Sequence, residues 1–332
     1  MKVLGIAGTA KNTGKTTTTV SIINLWSRHR ELAVTSIGYD GESRDNVTGL
    51  PKPRLLVPAG ALVVTASRCV GAGSAGIEVL TKTDIGTPLG KLVIGRVQKA
   101  GLVVMAGPNN ERALKYSIHK LEQMGISLLL VDGALGRLAP MSATQGLVLA
   151  TGASRTTDMD RLARESSAFA ALFALPVGEG SEPRLKQGSL LVEKQGEVLA
   201  AKAANYSTLE FSGVVDVKPL AALMAQLQPP LADIVVRDPV KLLLSQDLVA
   251  AADLLREYQG RGGRVLVRKQ LPLKVITVNP FYPDYNEANG EFSPAYLDAV
   301  EVHRTIANCV STPVIDVVRQ GDAELAKVLD LQ

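Results

Sequence analysis

The chain has 332 residues, 46% of them hydrophobic and 20% charged, with a formal net charge of +4. That length can bury a large core, and the balance excludes intrinsic disorder. The small charge, without a basic stripe interleaved with aromatics, argues against nucleic-acid binding, and no run of about 18 apolar residues offers a membrane span. Cys69 and Cys309 lack metal-ligand spacing and are too few for a disulfide framework, so they read as reduced thiols of a cytoplasmic protein.

Taken in chain order, the apolar run 2–7 predicts a buried strand, followed directly by Gly8-Thr9-Ala10-Lys11-Asn12-Thr13-Gly14-Lys15-Thr16-Thr17. A strand, a glycine-bearing loop and a helix start carrying Gly-Lys-Thr suit a triphosphate. Backbone N–H groups of the loop and of the first helical turn point at phosphate oxygens. Gly14 permits close backbone approach, Lys15 brings a point charge to the outer phosphates, and the Thr16 hydroxyl can ligate Mg²⁺. Gly8, Thr9, Lys11, Asn12, Thr13 and Thr17 make up the rest of the expected nucleotide cradle. The usual G-x-x-x-x-G-K-[ST] spacing would place glycine at position 9, where this chain has Thr9 and carries Gly8 one step earlier.

The next elements are a helix over 15–30, with Val20, Ile23 and Trp26 facing the sheet, and a strand over 33–38. Asp40 follows that strand and can position an attacking water or the metal. Glu42 and Asp45 lie close enough to serve instead, a solvated acidic turn is an equal alternative, and Thr48 is a weaker candidate for a metal-sensing hydroxyl. Residues from about 54 to 106 are β-rich, with strands expected at 55–57, 61–65, 91–97 and 102–105. The glycine-rich stretch 71–76 is either a mobile piece or a plain connection. Thr81-Lys82-Thr83-Asp84 imitates a guanine-reading motif but precedes the metal-binding strand instead of following it, which favours ATP over GTP.

A helix over 110–124 leads to a strand over 127–132 ending in Asp132-Gly133. An acid at the carboxyl end of a buried strand lies on the ligand-binding edge of an α/β sheet, where it can order the metal's waters beside Lys15 and Thr16; the alternative is an ordinary Asp-Gly turn. Further strands are expected at 146–151, 232–236, 274–279 and 313–317, and helices at 159–173, 246–258 and 294–310, the last with Ser293 as N-cap and Pro294 in its first position. Segments 190–193 and 197–200 flank Lys194-Gln195-Gly196 as a hairpin. Asn279 ends its strand as a candidate purine-reading amide, with an Asn-Pro turn equally open. His29, His119 and His303 each fall on a predicted helix, and no compact His/Asp/Ser or Cys/His set exists. The alternation predicts an α/β protein with a mostly parallel sheet and helices on both faces. We read one domain over 1–332, with β-rich insertions at about 54–106 and 186–216.

These residues resemble a known class. Gly8-Thr9 followed by Gly14-Lys15-Thr16 is similar to the G-T-x-x-x-x-G-K-T loop of dethiobiotin synthetase and the cobyrinic and cobyric acid synthases. Val131-Asp132-Gly133-Ala134-Leu135-Gly136 followed by Pro140 resembles the V-E-G-A-G-G…P segment of the former, with Asp in place of Glu. The class also holds the cell-division and plasmid-partition ATPases, and the resemblance implies a P-loop NTPase fold, Mg-ATP at the loop and, for many members, a homodimer. Ala10 departs from it, standing where partition ATPases carry a lysine and dethiobiotin synthetase an acid; Asp40 stands where the latter has a lysine. The loop, the run Asp45-Asn46-Val47-Thr48-Gly49-Leu50-Pro51-Lys52-Pro53-Arg54 and the run from Val131 to Arg137 also resemble the reactivase subunit encoded with lysine 5,6-aminomutase. That resemblance implies an ATPase that restores a cobalamin-dependent aminomutase of lysine degradation. Alternatives are an ATP-dependent ligase activating a small carboxylate, with a pocket around Asn279-Pro280-Phe281-Tyr282, and a nucleotide-binding regulator without turnover.

Overall fold

The computed structural model describes residues 1–26, 31–40, 55–243, 247–287 and 290–330, with the backbone alone at Tyr39 and Asp40. In chain order, β1 (Lys2–Gly8), α1 (Lys15–Trp26), β2 (Leu32–Ser36), β3 (Leu62–Ala66), β4 (Gly76–Thr87), β5 (Gly90–Lys99), α2 (Glu111–Gln123), β6 (Leu128–Ala134) and β7 (Gly146–Gly152) come first. They are followed by α3 (Met159–Phe173), β8 (Arg184–Gln187), α4 (Glu193–Ala203), β9 (Thr208–Phe211), α5 (Val217–Gln226), β10 (Asp233–Val236), α6 (Leu248–Gly260) and β11 (Val265–Val267). The chain closes with β12 (Leu273–Asn279), β13 (Phe281–Asn286), β14 (Glu291–Tyr296), α7 (Ala299–Ala307), β15 (Val314–Ile315), α8 (Val317–Gln320) and α9 (Asp322–Val328).

Where the sequence suggests one domain, the contacts divide the chain into two units: Met1–Leu162 with Leu273–Gln332, and Ala163–Pro272. The first unit is built on a nine-stranded sheet ordered β15-β12-β7-β1-β6-β2-β3-β5-β4. From β15 through β3 every neighbouring pair is parallel; β5 and β4 extend the edge antiparallel. This is the α/β architecture with a mostly parallel, helix-flanked sheet that the alternation predicts. In β1 only Lys2 is exposed, and β7 is buried throughout, as strands covered on both faces must be. Ile22, Ile23 and Trp26 of α1 pack in one core with Leu4, Ile6, Leu130, Val148 and Leu325. Each such side chain contributes roughly 1.5–3 kcal/mol. Ser21 Oγ also donates to Asp322 at the start of α9, so α1, and with it the loop before it, is fixed from two sides.

Part of the expected β-rich insertion is therefore core: β3 pairs in parallel with β2. The guanine-motif imitation lies on β4, an edge strand, where Thr83 Oγ1 donates to Leu92 O at 2.9 Å and Asp84 pairs with Lys91 on the surface. The glycine-rich stretch before β4 is tied down by Ala75 N→Leu102 O at 3.1 Å and Leu102 N→Ser74 Oγ at 2.9 Å.

The second unit is a four-stranded parallel sheet in the order β8-β9-β10-β11, with α4, α5 and α6 between successive strands. Here the expected hairpin at 190–200 is corrected: Glu193–Ala203 is helix α4. The Gln195 Oε1 accepts from Leu191 N and Val192 N and starts the helix. Gly196 is a contact point rather than a turn, since a Cβ there would lie 2.2 Å from Pro219 O of α5. The expected helix over 294–310 is corrected as well. Ser293 and Pro294 belong to β14, and α7 begins only after Asp298, whose Oδ1 accepts from Glu301 N at 2.8 Å. Val317 opens α8 instead of ending a strand, because Asp316 caps that helix through Val318 N and Arg319 N. No helix among the described residues is long and apolar enough to cross a membrane.

Candidate nucleotide site

Strand β1 lies where the strand order reverses, between β6 and β7, and ligands of open α/β sheets bind at the carboxyl ends of such strands. The parallel register brings five of those ends together. Gly8 pairs with Ala134 and with Ala150, Asp132 pairs with Ser36, and Gly152 pairs with Asn279. The loop 9–14 turns at this edge. Thr9 N donates to Ala150 O at 3.0 Å, Thr9 Oγ1 donates to Thr151 Oγ1 at 3.0 Å, and the buried Thr13 Oγ1 donates to Ala10 O at 3.1 Å.

Two residues of the loop have positive φ, Asn12 at 63° and Gly14 at 85°. Left-handed turns of this kind gather successive N–H groups into a concavity that accepts anions. Gly14 has a second reason to lack a side chain, since a Cβ would stand 3.2 Å from Asn279 Cβ. Helix α1 makes its first backbone bond from Thr18 N to Gly14 O at 2.9 Å, so the donors of the turn holding Lys15, Thr16 and Thr17 precede the ladder and face the loop. Thr19 Oγ1 donates back to Lys15 O, and Thr18 Oγ1 meets Thr277 Oγ1 of β12 at 2.9 Å in the interior.

Lys15 Nζ lies 2.7 Å from Asp132 Oδ1, with the lysine side chain 20% and the carboxylate 4% exposed. The residues expected to face phosphate and metal thus share one locale, although 117 positions separate them. Thr16 and Thr17 are half-buried on the first turn, and Lys11 is exposed at the loop's tip. The backbone at Asp40 pairs with Met105, but its side chain lies outside the described residues, as do Glu42, Asp45, Thr48 and the run up to Arg54. Among the described residues, no group of three or more His, Cys, Asp or Glu is placed to hold a metal by itself. Lys15, Thr16 and Asp132 fit a metal held jointly with phosphate oxygens, because a hydroxyl and one carboxylate leave most of an octahedral shell to ligand and water.

Asn279 reaches the loop in an unexpected manner. Its Nδ2 donates to Asn12 O at 2.8 Å and its Oδ1 accepts from Phe281 N at 3.2 Å, so both ends of the amide hold backbone. Ser154, which sequence reasoning missed, stands between the same two residues: its single hydroxyl proton is shared between Phe281 O at 2.8 Å and, more weakly, Asn12 O at 3.3 Å. Arg137 was also missed as a site residue. Its guanidinium lies against Gly38 just beyond β2, where a Cβ would stand 2.6 Å from Nη1 and where φ is 73°. Ile37 N donates to Asp132 O, so this cation stands close to the Asp132 strand end. A lone serine after β7 and an arginine after a glycine carry no spacing signal of their own.

No family model and no curated protein sequence matches the chain. Among solved structures, it is similar to the MinC:MinD cell division protein complex of Aquifex aeolicus, at 11% identity and a TM-score of 0.27, over 78% of this chain and 96% of that one. It is similar also to pNOB8 ParA bound to nonspecific DNA, at 12% identity and a TM-score of 0.29, over 78% of this chain and 99% of that one. Both superpositions are loose.

Proposed function

We propose that the chain is a Mg-ATP-binding P-loop ATPase whose output is conformational work on a partner protein. The observation that carries this is the Lys15–Asp132 pair, 2.7 Å apart beside a loop with two left-handed residues and at the strand-order reversal. Lys15 would hold the β- and γ-phosphates, Thr16 would ligate Mg²⁺, and Asp132 would order the metal's waters. Mg-ATP, when bound, supplies a phosphoric anhydride whose hydrolysis is strongly favourable. With it bound, the Lys15 ammonium would serve the phosphates and the Asp132 carboxylate the metal's waters, in place of their contact with each other. Asp40 is the candidate for positioning the attacking water. The partner we propose, on the resemblance of the loop and of the Val131–Arg137 run to the aminomutase reactivase, is a cobalamin-dependent lysine aminomutase.

The test is ATP hydrolysis by the purified chain alone, with small carboxylic acids, and with a lysine aminomutase inactivated by turnover. Stimulation by the aminomutase is the expected result. Phosphate release that depends strictly on a carboxylic acid would instead establish the ligase reading, and binding without turnover under every condition would establish a regulator.

A further inference from the structure

Arg137 stands at the carboxyl edge of the large sheet with its charge uncommitted. It ends the short helical turn Leu135–Arg137 after β6, between Leu135 and Leu138, which are both buried, so the turn is anchored while the arginine is exposed. Among the described residues no carboxylate pairs with it and no carbonyl accepts from it. Exposed arginines on loops are ordinary, but this one has a seat built for it. Its guanidinium lies on Gly38, where φ is 73° and a Cβ would stand 2.6 Å from Nη1, so another residue there would push it away. The peptide beneath is fixed as well: Gly38 O accepts from Ser36 Oγ at 2.7 Å and from Gly107 N at 3.2 Å.

The strand order says what this seat faces. Strand β6 lies between β1 and β2, so the carboxyl edge runs from the loop to Asp132 and on to Gly38. Lys15 Nζ lies 2.7 Å from Asp132 Oδ1, and Ile37 N, one residue before Gly38, donates to Asp132 O at 2.6 Å. On the far side of β1, Asn279 of β12 and Ser154 after β7 hold the loop at Asn12 O. With the metal end of a triphosphate at Lys15 and Asp132, the terminal phosphate lies on the β2 side of the loop, toward Arg137. Charge balance asks for a further cation there, because Lys15 and Asp132 cancel as a pair whereas Mg-ATP keeps a net negative charge. A guanidinium is always protonated, and its planar fork matches two phosphate oxygens.

We propose that Arg137 contacts the terminal phosphate of bound ATP and makes the site distinguish ATP from ADP. This assignment rests on the phosphate-loop function proposed above and adds to it the group that reads the third phosphate.

The test is calorimetry on the full chain with Mg²⁺, titrated with ADP and with an ATP analogue whose β–γ bridge is nitrogen and resists hydrolysis. Arg137→Ala should weaken binding of the analogue by about tenfold to a hundredfold, the value of a hydrogen bond to a charged group, and change ADP binding by less than about twofold. Gly38→Ala displaces the guanidinium from its seat and should reproduce the selective loss, and combined with Arg137→Ala it should add little further. Lys15→Ala is the contrast and should weaken both ligands, since its ammonium serves the β-phosphate as well as the γ-phosphate. If Arg137→Ala unfolds thermally like the wild type and either leaves both affinities unchanged or lowers them equally, the assignment is overturned. Arg137→Gln keeps the length without the charge, and the same outcomes in it decide the matter should Arg137→Ala fail to fold. A wild-type chain that binds neither nucleotide overturns the phosphate-loop function itself, whereas one that binds both and loses nothing selectively overturns only the role of Arg137.

Discussion

The nine-stranded sheet that carries the loop 9–14 is mostly parallel and the four-stranded sheet of the second unit wholly so, and both are fed by helices, yet their strand orders differ. In the first, β1 is flanked by β6 and β7, which both arrive more than a hundred residues later, so the connections diverge and open a crevice at the carboxyl edge. In the second, β8 to β11 follow one another in chain order with no reversal among them. Their charges serve differently too. Arg264 grips the buried Asp233 with two bonds, Nε to Oδ1 at 2.7 Å and Nη2 to Oδ2 at 2.5 Å, and Arg268 bonds Glu210 twice and Glu179 once. The Arg268 guanidinium, through its hydrogen bonds, holds the Glu210 carboxyl below its ordinary value despite partial burial. Charges in the second sheet close on one another, whereas Lys15 and Asp132 meet at an open edge, where a ligand can separate them.

This contrast would break most visibly at Phe211, which is 1% exposed in the second unit. Phe211→Ala should cost about 3–5 kcal/mol in urea unfolding while leaving the ATP affinity of the folded protein intact. A parallel fall in affinity would mean that the two sheets do not divide their roles. Lys15→Ala should do the reverse, weakening ATP binding by roughly 1.5–3 kcal/mol in calorimetry, the value of a hydrogen bond to a charged group. Unchanged affinity would remove Lys15 from the phosphate site. Gly14→Ala should weaken ATP binding by roughly 1–2 kcal/mol, the cost of a left-handed backbone with a Cβ, here sharpened by the approach to Asn279.

The smallest effects lie in the pH dependence of the second unit. Tyr258 is buried, its hydroxyl donates to Ala232 O at 2.6 Å, and burial pushes its pKa up to about 12 from 10.0. The folded state holds this proton more tightly than the unfolded one, so its contribution is whole below pH 10 and falls away as pH rises toward 12. Tyr258→Phe should remove that alkaline loss, seen by ultraviolet absorbance, at a cost of about 1 kcal/mol at neutral pH. Glu210 works with the opposite sign: its lowered pKa gives stability present above pH 4.5 and lost as pH falls through the folded value. Neither titration should alter the nucleotide site, and an ATP affinity that followed them would again break the contrast.

Legibility in the sequence followed how local the determining physics is. The loop from Gly8 to Thr17 and the buried strand that carries Asp132 were readable because strand, turn chemistry and helix start act over a few neighbouring residues, although that strand runs on to Ala134. The segment 190–200 was not, because Lys194-Gln195-Gly196 satisfies turn rules equally well; its glycine answers instead to Pro219 O of α5, a neighbour the sequence does not reveal. Ser293-Pro294 met the rule for a helix start, but so did Asp298 with Glu301, and the pairing of Pro294 with Pro283 decided between them.

The amino-acid sequence by itself determined the α/β class, the glycine-bearing loop between β1 and α1 and the strand that carries Asp132, since each depends on composition or on spacing within one strand–loop–helix unit. Tertiary structure alone decided that β1 sits at a reversal, that Lys15 and Asp132 touch, and that Asn279 latches Asn12 across 267 positions. Those outcomes depend on which strands lie side by side, and burial of both faces of a parallel sheet, rather than any local motif, selects that order.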